Sequence, residues 1–509
     1  MKGAVASGHP LTAGAAAEMF ARGGNAFDAV LSAGFASVVA EPALASLGGG
    51  GFLLAHVEKQ KEDILFDFFV NTPGLKGKGN IKPAMTPVVI RFPQSTQVFH
   101  TGFASAAVPG MLKGLVHIHK RLCTLPLKTI LSPAMSYLEK GVDVCEIQAI
   151  ILGYLREIFT ATDYGKQIFM INNHYVRMKD RLLNPLLKKF FQDLLSGTRD
   201  IYSGETARKL VEEMKIHQGA ITYDDLIGYT VIERKPLRIP YRGREVLTNP
   251  PPSSGGIMLA LALQLLQTVD LKKHSRDSEE FFITLIELMK EMNSFRPMKK
   301  DGTVPYPFED STLSSVMDSF VHNVSKKTFI ATQGTTHISV IDGEGNAASM
   351  TTSNGSGSGC FIPGTGIMLN NMMGEDDLHD EGFFSSPPNE RVSSMMVPAM
   401  VMKDGNVDFV LGSGGSKRIR TAILQVLVNV IDYDCSLKDA VEKPRVHIDD
   451  GTVQTEPDIP AKVIDNLGIQ YDINSWSRKN MYFGGVHCVN NKLDGWADSR
   501  RGGSFLTVT

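Results

Sequence analysis

The chain has 509 residues, of which 43% are hydrophobic and 21% are charged, as in an ordinary folded globular protein. Its 52 Lys and Arg residues nearly balance its 54 Asp and Glu residues, so it lacks the basic excess that nucleic-acid binding would require. The apolar run at residues 29–40 is too short for a membrane span, which needs about 20 residues. We therefore expect neither nucleic acid nor a membrane as a partner.

Two features of the sequence bear on where the protein works. The N-terminal residues contain no apolar segment of the kind that a signal peptide carries. The five cysteines are odd in number and widely spaced, and they form no CxxC pair, which is typical of a reducing compartment. A cytoplasmic location is the expectation that follows.

The predicted elements alternate between helix and strand along the whole chain. No long Ser- or Gly-rich linker separates them, so they predict one large layered body. In chain order the pattern predicts helices at residues 15–22 and 27–39, a strand after the four glycines 48–51, mostly helix over 111–214, strands over 228–247, a helix from Ile257, a charged loop-like insert over 268–332, short strands over 334–409, and a helix over 420–432 after the glycine-rich residues 412–416.

The segment around Thr335 predicts a β-hairpin. Ile338 and Val340 alternate with polar residues as on a half-buried strand, and the turn-forming residues 342–346 follow. With the turn centred at Glu344, Thr335 lies opposite Ser353, at the about 4.5–5.5 Å Cβ separation of directly paired residues. Two hydroxyl groups are therefore predicted to meet at the open end of the hairpin, although a Thr pair before a hairpin is also common without any catalytic role.

Two other segments are open to more than one interpretation. A glycine-rich turn such as residues 412–415, placed between a strand and a helix, can hold a phosphate, but more often it only allows close packing. Ser393 and Ser394 are either surface hydroxyls or ligand contacts.

Seven segments taken together resemble the gamma-glutamyltransferase family nearly from end to end. They are GGNAFDAVLSAGFASVVAEPALASLGGGGFLLAH, ASAAVPGMLKGL, LRIPYRGREVLTNPPPSSGGIMLALALQLL, GTTHISVIDGEGNAASM, PGTGIMLNNMM, RVSSMMVPAMV and GSGGSKRIRTAILQVLVNVIDY. The resemblance implies an α+β fold, the four-layer αββα sandwich of the N-terminal nucleophile hydrolases. It also implies a precursor that cuts itself between Gly334 and Thr335. Residues 1–334 would become the large subunit and residues 335–509 the small one, as a heterodimer or a heterotetramer.

The chemistry agrees with this use of Thr335. A Thr hydroxyl is a weak nucleophile, and a free α-amine on the same residue is a recognised base that activates it. Such an amine titrates near about 7.7–8.0, whereas an internal Thr has only an amide nitrogen. Cleavage before Thr335 would therefore switch the enzyme on.

The resemblance also assigns other roles, position by position. Ser353 stands where the family has a second hydroxyl that orients the nucleophile, and Gly414 and Gly415 match the pair whose N–H groups form the oxyanion hole. Ser393 and Ser394 match the serine pair that binds a substrate carboxylate. For the remaining substrate contacts, Glu375 is in register with an acid that holds the substrate amine, and Asn354 is displaced by one from the family's Asn.

Three departures concern the substrate. No Arg follows Phe69 in the register where the family clamps the α-carboxylate, and Lys76 or Lys78 would replace it only as a point charge. The Asn that the family has shortly after the second hydroxyl is replaced, since Asn354 is displaced by one. Met372 occupies a position where the family has an acid or an amide. In addition, the loop between Glu375 and Ser393 is short. We therefore expect altered recognition of the free γ-glutamyl group.

The predicted function is a self-processing γ-glutamyl amide hydrolase and transferase for a small-molecule substrate, other than a standard glutathione enzyme. No metal or organic cofactor is implied. One alternative is a side-chain acylase of the cephalosporin type. The other is a homologue that never processes and serves as a binding protein.

Overall fold

The computed structural model describes residues 1–75, 83–92, 95–294, 334–379 and 382–509. Its N-terminal part consists of long helices packed on strands. The elements are β1 (Gly3–Ser7), α1 (Pro10–Ala21), α2 (Ala26–Ala40), β2 (Gly50–Val57), β3 (Glu62–Asp67), β4 (Thr86–Phe92), β5 (Ser95–Thr101), α3 (Met111–Leu122), α4 (Leu127–Lys140) and β6 (Val142–Asp143).

The middle of the chain is mostly helical, as its Leu- and Lys-rich pattern predicts. The elements are α5 (Glu146–Tyr154), α6 (Arg156–Phe159), α7 (Asp163–Phe169), β7 (Met170–Ile171), β8 (His174–Tyr175), β9 (Arg181–Leu182), α8 (Pro185–Leu195), α9 (Gly204–Ile216) and α10 (Tyr223–Gly228).

The C-terminal half returns to strands between buried helices. The elements are β10 (Ile232–Arg234), β11 (Leu237–Tyr241), β12 (Arg244–Thr248), α11 (Ser254–Gln267), α12 (Glu279–Ser294), β13 (Gly334–Asp342), β14 (Ala347–Gly355), β15 (Ala399–Lys403), β16 (Asn406–Gly414), α13 (Arg418–Ile431), α14 (Leu437–Glu442), β17 (Val446–Asp449), β18 (Thr452–Thr455), α15 (Ala461–Gln470), β19 (Asp472–Ser475), β20 (Gly485–Asn490), β21 (Gly495–Ala497) and β22 (Ser504–Val508).

Two large antiparallel sheets form the centre of the molecule. The first has the strand order β10-β3-β2-β14-β13-β1-β22, and the second has the order β11-β12-β15-β16-β20-β21. Helices α1, α2 and α3 pack on the first sheet, with α4 against α2. Helices α11 and α13 pack on the second sheet, with α12 against α11. The predicted four-layer αββα sandwich is confirmed.

The side chains of β13 show how the layers meet. Ile338 and Val340 belong to the apolar core beneath α1 and α2. Ser339 faces the opposite way and donates to the backbone oxygen of His487 on the second sheet at 3.0 Å. Successive side chains alternate along a strand, so Thr335 lies on the same face as Ser339, between the two sheets.

Two helix predictions hold with small changes in their bounds. Helix α2 begins one residue before the predicted residues 27–39, because Asn25 accepts hydrogen bonds from the backbone nitrogens of Phe27 and Asp28 in a capping box. Helix α1 begins five residues earlier than predicted, where Pro10 occupies the first turn and the His9 ring accepts from Leu11.

The loop-like insert predicted over residues 268–332 is wrong for the part that the structure describes. Helix α12 crosses it, because apolar residues recur at helical spacing and pack into the core beside the second sheet. The charged residues between them form the solvent face, which hid this period in the sequence. Residues 295–332 lie outside the described part. Among the described helices, none is long and apolar enough to cross a membrane.

Candidate active site

The open end of the β13–β14 hairpin brings two buried hydroxyl groups together. Thr335 pairs with Ser353 in the register that the sequence predicts, with a register shift just before it at Gly334. Both side chains are almost fully buried, at 2% and 4% exposure. The two strands lie in the middle of the first sheet, so this end of the hairpin is held by neighbouring strands on both sides.

The two hydroxyls form a chain of hydrogen bonds that ends at the peptide bond before Thr335. Thr335 Oγ1 donates to Ser353 Oγ at 3.3 Å, and Ser353 Oγ donates to the carbonyl oxygen of Gly334 at 2.6 Å. The backbone N–H of Gly355 donates to Ser353 Oγ at 3.1 Å and fixes its position. Ser353 therefore connects the Thr335 hydroxyl with the carbonyl of the bond that Thr335 would attack.

The glycine-rich turn after β16 approaches Thr335 very closely. A methyl group on Gly414 would lie 2.3 Å from the Thr335 carbonyl oxygen, so only glycine fits there. Gly415 has a φ of 126°, which other residues rarely adopt. Nη1 of Arg501 donates to the same Thr335 oxygen at 3.4 Å. The turn therefore packs its backbone against Thr335, the residue predicted to be the nucleophile.

A buried carboxyl group lies on the other face of β13. Glu41 accepts hydrogen bonds from the Thr336 hydroxyl at 2.8 Å and from the Thr12 hydroxyl at 2.7 Å. Burial raises the pKa of Glu41, against the effects of these hydroxyls and of Arg501. Thr336, the residue after Thr335, is thus hydrogen-bonded to a carboxyl group whose protonated form is favoured by burial.

His337 is close to Thr335 in sequence but is held in the packing between the sheets. Its Nδ1 is 2.8 Å from Thr351 Oγ1 and its Nε2 is 2.9 Å from Ser339 Oγ. Burial holds the pKa of His337 well below its usual value, so the ring is neutral. These contacts favour a packing role for His337 over that of a general base.

The two serines proposed for a substrate carboxylate have different surroundings. Ser394 is buried, and its carbonyl oxygen accepts from the backbone nitrogens of Ser254 and Gly255 at the start of α11, at 3.0 and 3.1 Å. Its hydroxyl accepts from Met396 N at 3.1 Å. Ser393 is only half-buried and donates to Pro252 O at 3.2 Å. The chain therefore fixes both serines to the N-terminus of α11.

The predicted residues Asn354 and Glu375 both lie close to Ser353. The backbone nitrogen of Ser356 donates to Glu375 Oε1 at 3.2 Å and to Asn371 Oδ1 at 2.8 Å. Asn354 is 1% exposed, and its Oδ1 has no hydrogen-bond partner among the described residues. Glu375 is thus tied to the turn after β14.

A family model described as gamma-glutamyltranspeptidase matches residues 12–508. The chain belongs to the gamma-glutamyltranspeptidase family. This is a family of enzymes, and the chain has the Ntn-hydrolase fold. The fold and the hairpin therefore agree with the resemblance found in the sequence.

Similar members of the gamma-glutamyltranspeptidase family differ in what their names say they act on. The chain is 30% identical to the acylase ACY 1 proenzyme of Pseudomonas sp. (strain SE83), over 92% of this chain and 86% of that protein. It is 31% identical to the glutathione hydrolase proenzyme of Escherichia coli (strain K12), over 88% and 81%. The cephalosporin acylase structure from Bacillus halodurans covers 99% of this chain and 95% of its own, at a TM-score of 0.82 and 22% identity, and it shows the fold alone.

The departures from the gamma-glutamyltranspeptidase pattern have different outcomes in the structure. Lys76 and Lys78, the proposed substitutes for the missing Arg, lie outside the described residues. Met372 is buried at 2% exposure. Across the described ranges, no group of three or more His, Cys, Asp or Glu residues is placed to hold a metal ion.

Three charged residues near this family site were missed by sequence reasoning. Glu41 lies between the predicted helix 27–39 and the glycine run, and no local pattern there signals a buried carboxyl group. Arg501 is far from Thr335 in the sequence, and no pattern links the two. Arg418 follows the predicted oxyanion glycines at the start of α13, where a cation is unexpected.

Proposed function

We propose that this member of the family is a self-processing amide hydrolase and transferase with Thr335 as its nucleophile. The observation that carries the proposal is the pair of hydrogen bonds from Thr335 Oγ1 to Ser353 Oγ and from Ser353 Oγ to Gly334 O. This arrangement supports the proposal because it would supply a nucleophile, a proton path and a polarised carbonyl at one peptide bond.

Processing would begin with the addition of Thr335 Oγ1 to the carbonyl carbon of Gly334. The hydroxyl proton passes to the amide nitrogen of Thr335 as the C–N bond breaks, which leaves an ester between the two residues. Water then hydrolyses this ester, so Gly334 ends in a carboxylate and Thr335 gains a free amine and a free hydroxyl. Ser353 supports the first step because its hydroxyl donates to the carbonyl oxygen on which negative charge develops.

The mature site would use the same residues for the substrate. The new α-amine of Thr335, with a pKa near about 7.7–8.0, takes the hydroxyl proton while Oγ1 attacks the substrate amide. The leaving amine carries that proton away, and an acyl-Thr335 ester remains. Water or an acceptor amine then releases the acyl group. The backbone N–H groups of Gly414 and Gly415 would stabilise the oxyanion in both steps.

The proposed substrate class is a γ-glutamyl amide or a related amide other than glutathione. The chain keeps Ser393, Ser394 and Glu375 for a polar acyl group but has no Arg in the usual register. A purified protein that turns over glutathione as fast as the family's glutathione hydrolases would contradict this part of the proposal.

A side-chain acylase is the second candidate, and one specific observation favours it. Met372 is buried where the resemblance expects a polar residue to hold the substrate amine. A glutaryl group lacks that amine and would fit such a site better than a γ-glutamyl group. Parallel rates on γ-glutamyl and glutaryl anilides would separate the two candidates, since the preferred acyl group should be hydrolysed at least about 10-fold faster.

Intact-mass analysis and N-terminal sequencing of freshly purified protein test the processing step. The 55.6-kDa chain should divide in proportion to the 334 residues before the bond and the 175 after it, giving about 36 and 19 kDa. The smaller piece should begin Thr-Thr-His-Ile. If the chain instead stays full-length for days in the buffer of the activity assay, the alternative of a binding protein that is never processed would be favoured.

A further inference from the structure

Helix α13 begins with a cluster of buried cations directly after the glycine turn. Lys417, Arg418 and Arg420 are 6%, 1% and 3% exposed, and no acidic residue lies in the first turn. The N-terminus of a helix carries a partial positive charge and normally favours acidic residues or a bound anion. The buried guanidinium of Arg418, the first residue of α13, is therefore unfavourable next to the helix dipole unless an anion joins it.

Arg418 in particular has an incomplete set of partners. Its Nε donates to Tyr482 O at 3.1 Å, and its guanidinium packs over the Tyr482 ring with Cζ 4.7 Å from the centroid. Neither Nη1 nor Nη2 has a hydrogen-bond partner among the described residues. The buried hydroxyl of Ser416, two residues earlier, also has no partner there.

This unpartnered guanidinium belongs to the turn that abuts Thr335. The backbone nitrogen of Arg418 donates to Gly415 O at 3.1 Å. Arg501, which contacts the Thr335 carbonyl oxygen, is near enough for the charge of Arg418 to act on it. Burial and that charge lower the pKa of Arg501 to about 10. Arg418 thus follows the turn that contacts Thr335, and its charge acts on the guanidinium of Arg501, which contacts the same residue.

We propose that Arg418 and Ser416 bind the distal carboxylate of the acyl group during catalysis. The substrates would be monoamides of dicarboxylic acids, in which the amide at one end reaches Thr335 and the free carboxylate at the other end reaches Arg418. The two free Nη groups supply the bidentate fork that a carboxylate fits, and a lysine cannot replace it. This assignment rests on the proposed function of Thr335 and fills the role of the Arg that the first third of the chain lacks.

The test compares two substrates on the fully cleaved enzyme. Glutaryl-p-nitroanilide carries the distal carboxylate, and butyryl-p-nitroanilide has a methyl group at its far end instead. We expect Arg418→Met to lower kcat/KM about 100-fold on the glutaryl substrate and less than about 3-fold on the butyryl one. Arg418→Lys should restore only part of the loss. Ser416→Ala should show a smaller loss, again confined to the glutaryl substrate.

The matched control is Arg199→Met, which removes a guanidinium that bonds to Gly364 O and Thr206 in another part of the molecule. It should leave the ratio of the two substrates unchanged. Equal losses on both substrates in Arg418→Met would overturn the carboxylate site while leaving the amidase proposal intact. Arg418→Gln provides a polar variant of similar size if the Met variant does not fold.

A second measurement does not depend on turnover. Sodium glutarate should raise the Tm of the cleaved wild-type protein more than sodium chloride does at equal ionic strength, and it should lose this effect on Arg418→Gln. An equal shift in both proteins would contradict the site. If the wild type is cleaved yet hydrolyses no amide, the proposed function fails, and a glutarate shift that requires Arg418 would still support anion binding here.

Discussion

Ser353 donates its hydroxyl proton to the carbonyl oxygen of Gly334 at 2.6 Å, although 19 residues separate them in the chain. The same hydroxyl oxygen accepts from Thr335 Oγ1. The contact exists in the continuous chain, so under the proposed function the second hydroxyl would be in position for maturation before any substrate binds.

Removing the Thr335 hydroxyl should stop maturation. We expect Thr335→Ala to remain a single 55.6-kDa chain and to lose amidase activity by at least about 1,000-fold. Thr335→Ser should still be cleaved, because it keeps the hydroxyl and the same preceding carbonyl. Denaturing gels over several days measure the outcome, and a Thr335→Ala protein that splits at this bond would refute the assignment of the nucleophile.

The role of Ser353 predicts a slower cut rather than a misfolded protein. Ser353→Ala should reduce the rate of cleavage about 100-fold, the usual effect of removing one donor from a developing oxyanion. Ser353→Thr should restore most of the rate. Thr352→Val is the matched control, since the neighbouring Thr352 hydroxyl has no partner in the described structure. Similar slowing in both variants would show that the strand, and not the hydroxyl, is responsible.

The close approach of Gly414 to Thr335 predicts a steric effect. Gly414→Ala should destabilise the protein by about 1–3 kcal/mol and impair cleavage, because the new methyl group would lie 2.3 Å from Thr335 O. Gly468→Ala in α15 is the control, because no atom lies within 4 Å of its added methyl group. It should stabilise by about 0.5–1 kcal/mol. Each glycine variant is combined with Thr335→Ala, which keeps the chain uncleaved, and its free energy of unfolding is measured in urea. A Gly414→Ala variant with unchanged stability would contradict the close packing.

Glu41 should make stability depend on pH in a definite direction. Its pKa is raised in the folded state, so its contribution is fully present below the unfolded pKa near 4.5 and is lost as pH rises through the folded value. The glutamine in Glu41→Gln does not ionise, so the variant lacks the decrease in stability that the wild type shows with rising pH. We therefore expect the Tm of the variant relative to wild type to increase between pH 4 and pH 8.

Thermal unfolding at several pH values measures this difference. Glu344→Gln, at an exposed position in the hairpin turn, is the control and should show no such trend. A variant Tm that falls steadily relative to wild type over the same range would mean that ionised Glu41 stabilises the fold.

Sequence reasoning succeeded where a local rule controls the geometry. The partner of Thr335 follows from strand alternation and a five-residue turn, so simple counting reached Ser353. Helix α2 was predicted to within one residue at each end from its local apolar pattern. Both depend on residues that are close together in the chain.

It failed where distant segments meet. Arg501 reaches Thr335 across 166 positions, and Glu41 reaches Thr336 across 295. Neither has a local pattern, because their contacts arise only when the two sheets and the first helix layer pack together. Helix α12 was missed for another reason, since its charged surface obscured the apolar period.

The order of strands in the first sheet has a consequence for the life of the mature protein. Cleavage before Thr335 would leave β10, β3, β2 and β1 on one polypeptide and β14, β13 and β22 on the other, with β1 held between β13 and β22. The two products would be interleaved through a shared sheet, so they could not dissociate without unfolding it. Maturation would thus change how the protein refolds. After denaturation the two cleaved chains would have to reassociate in a bimolecular step, whereas the precursor folds as a single chain.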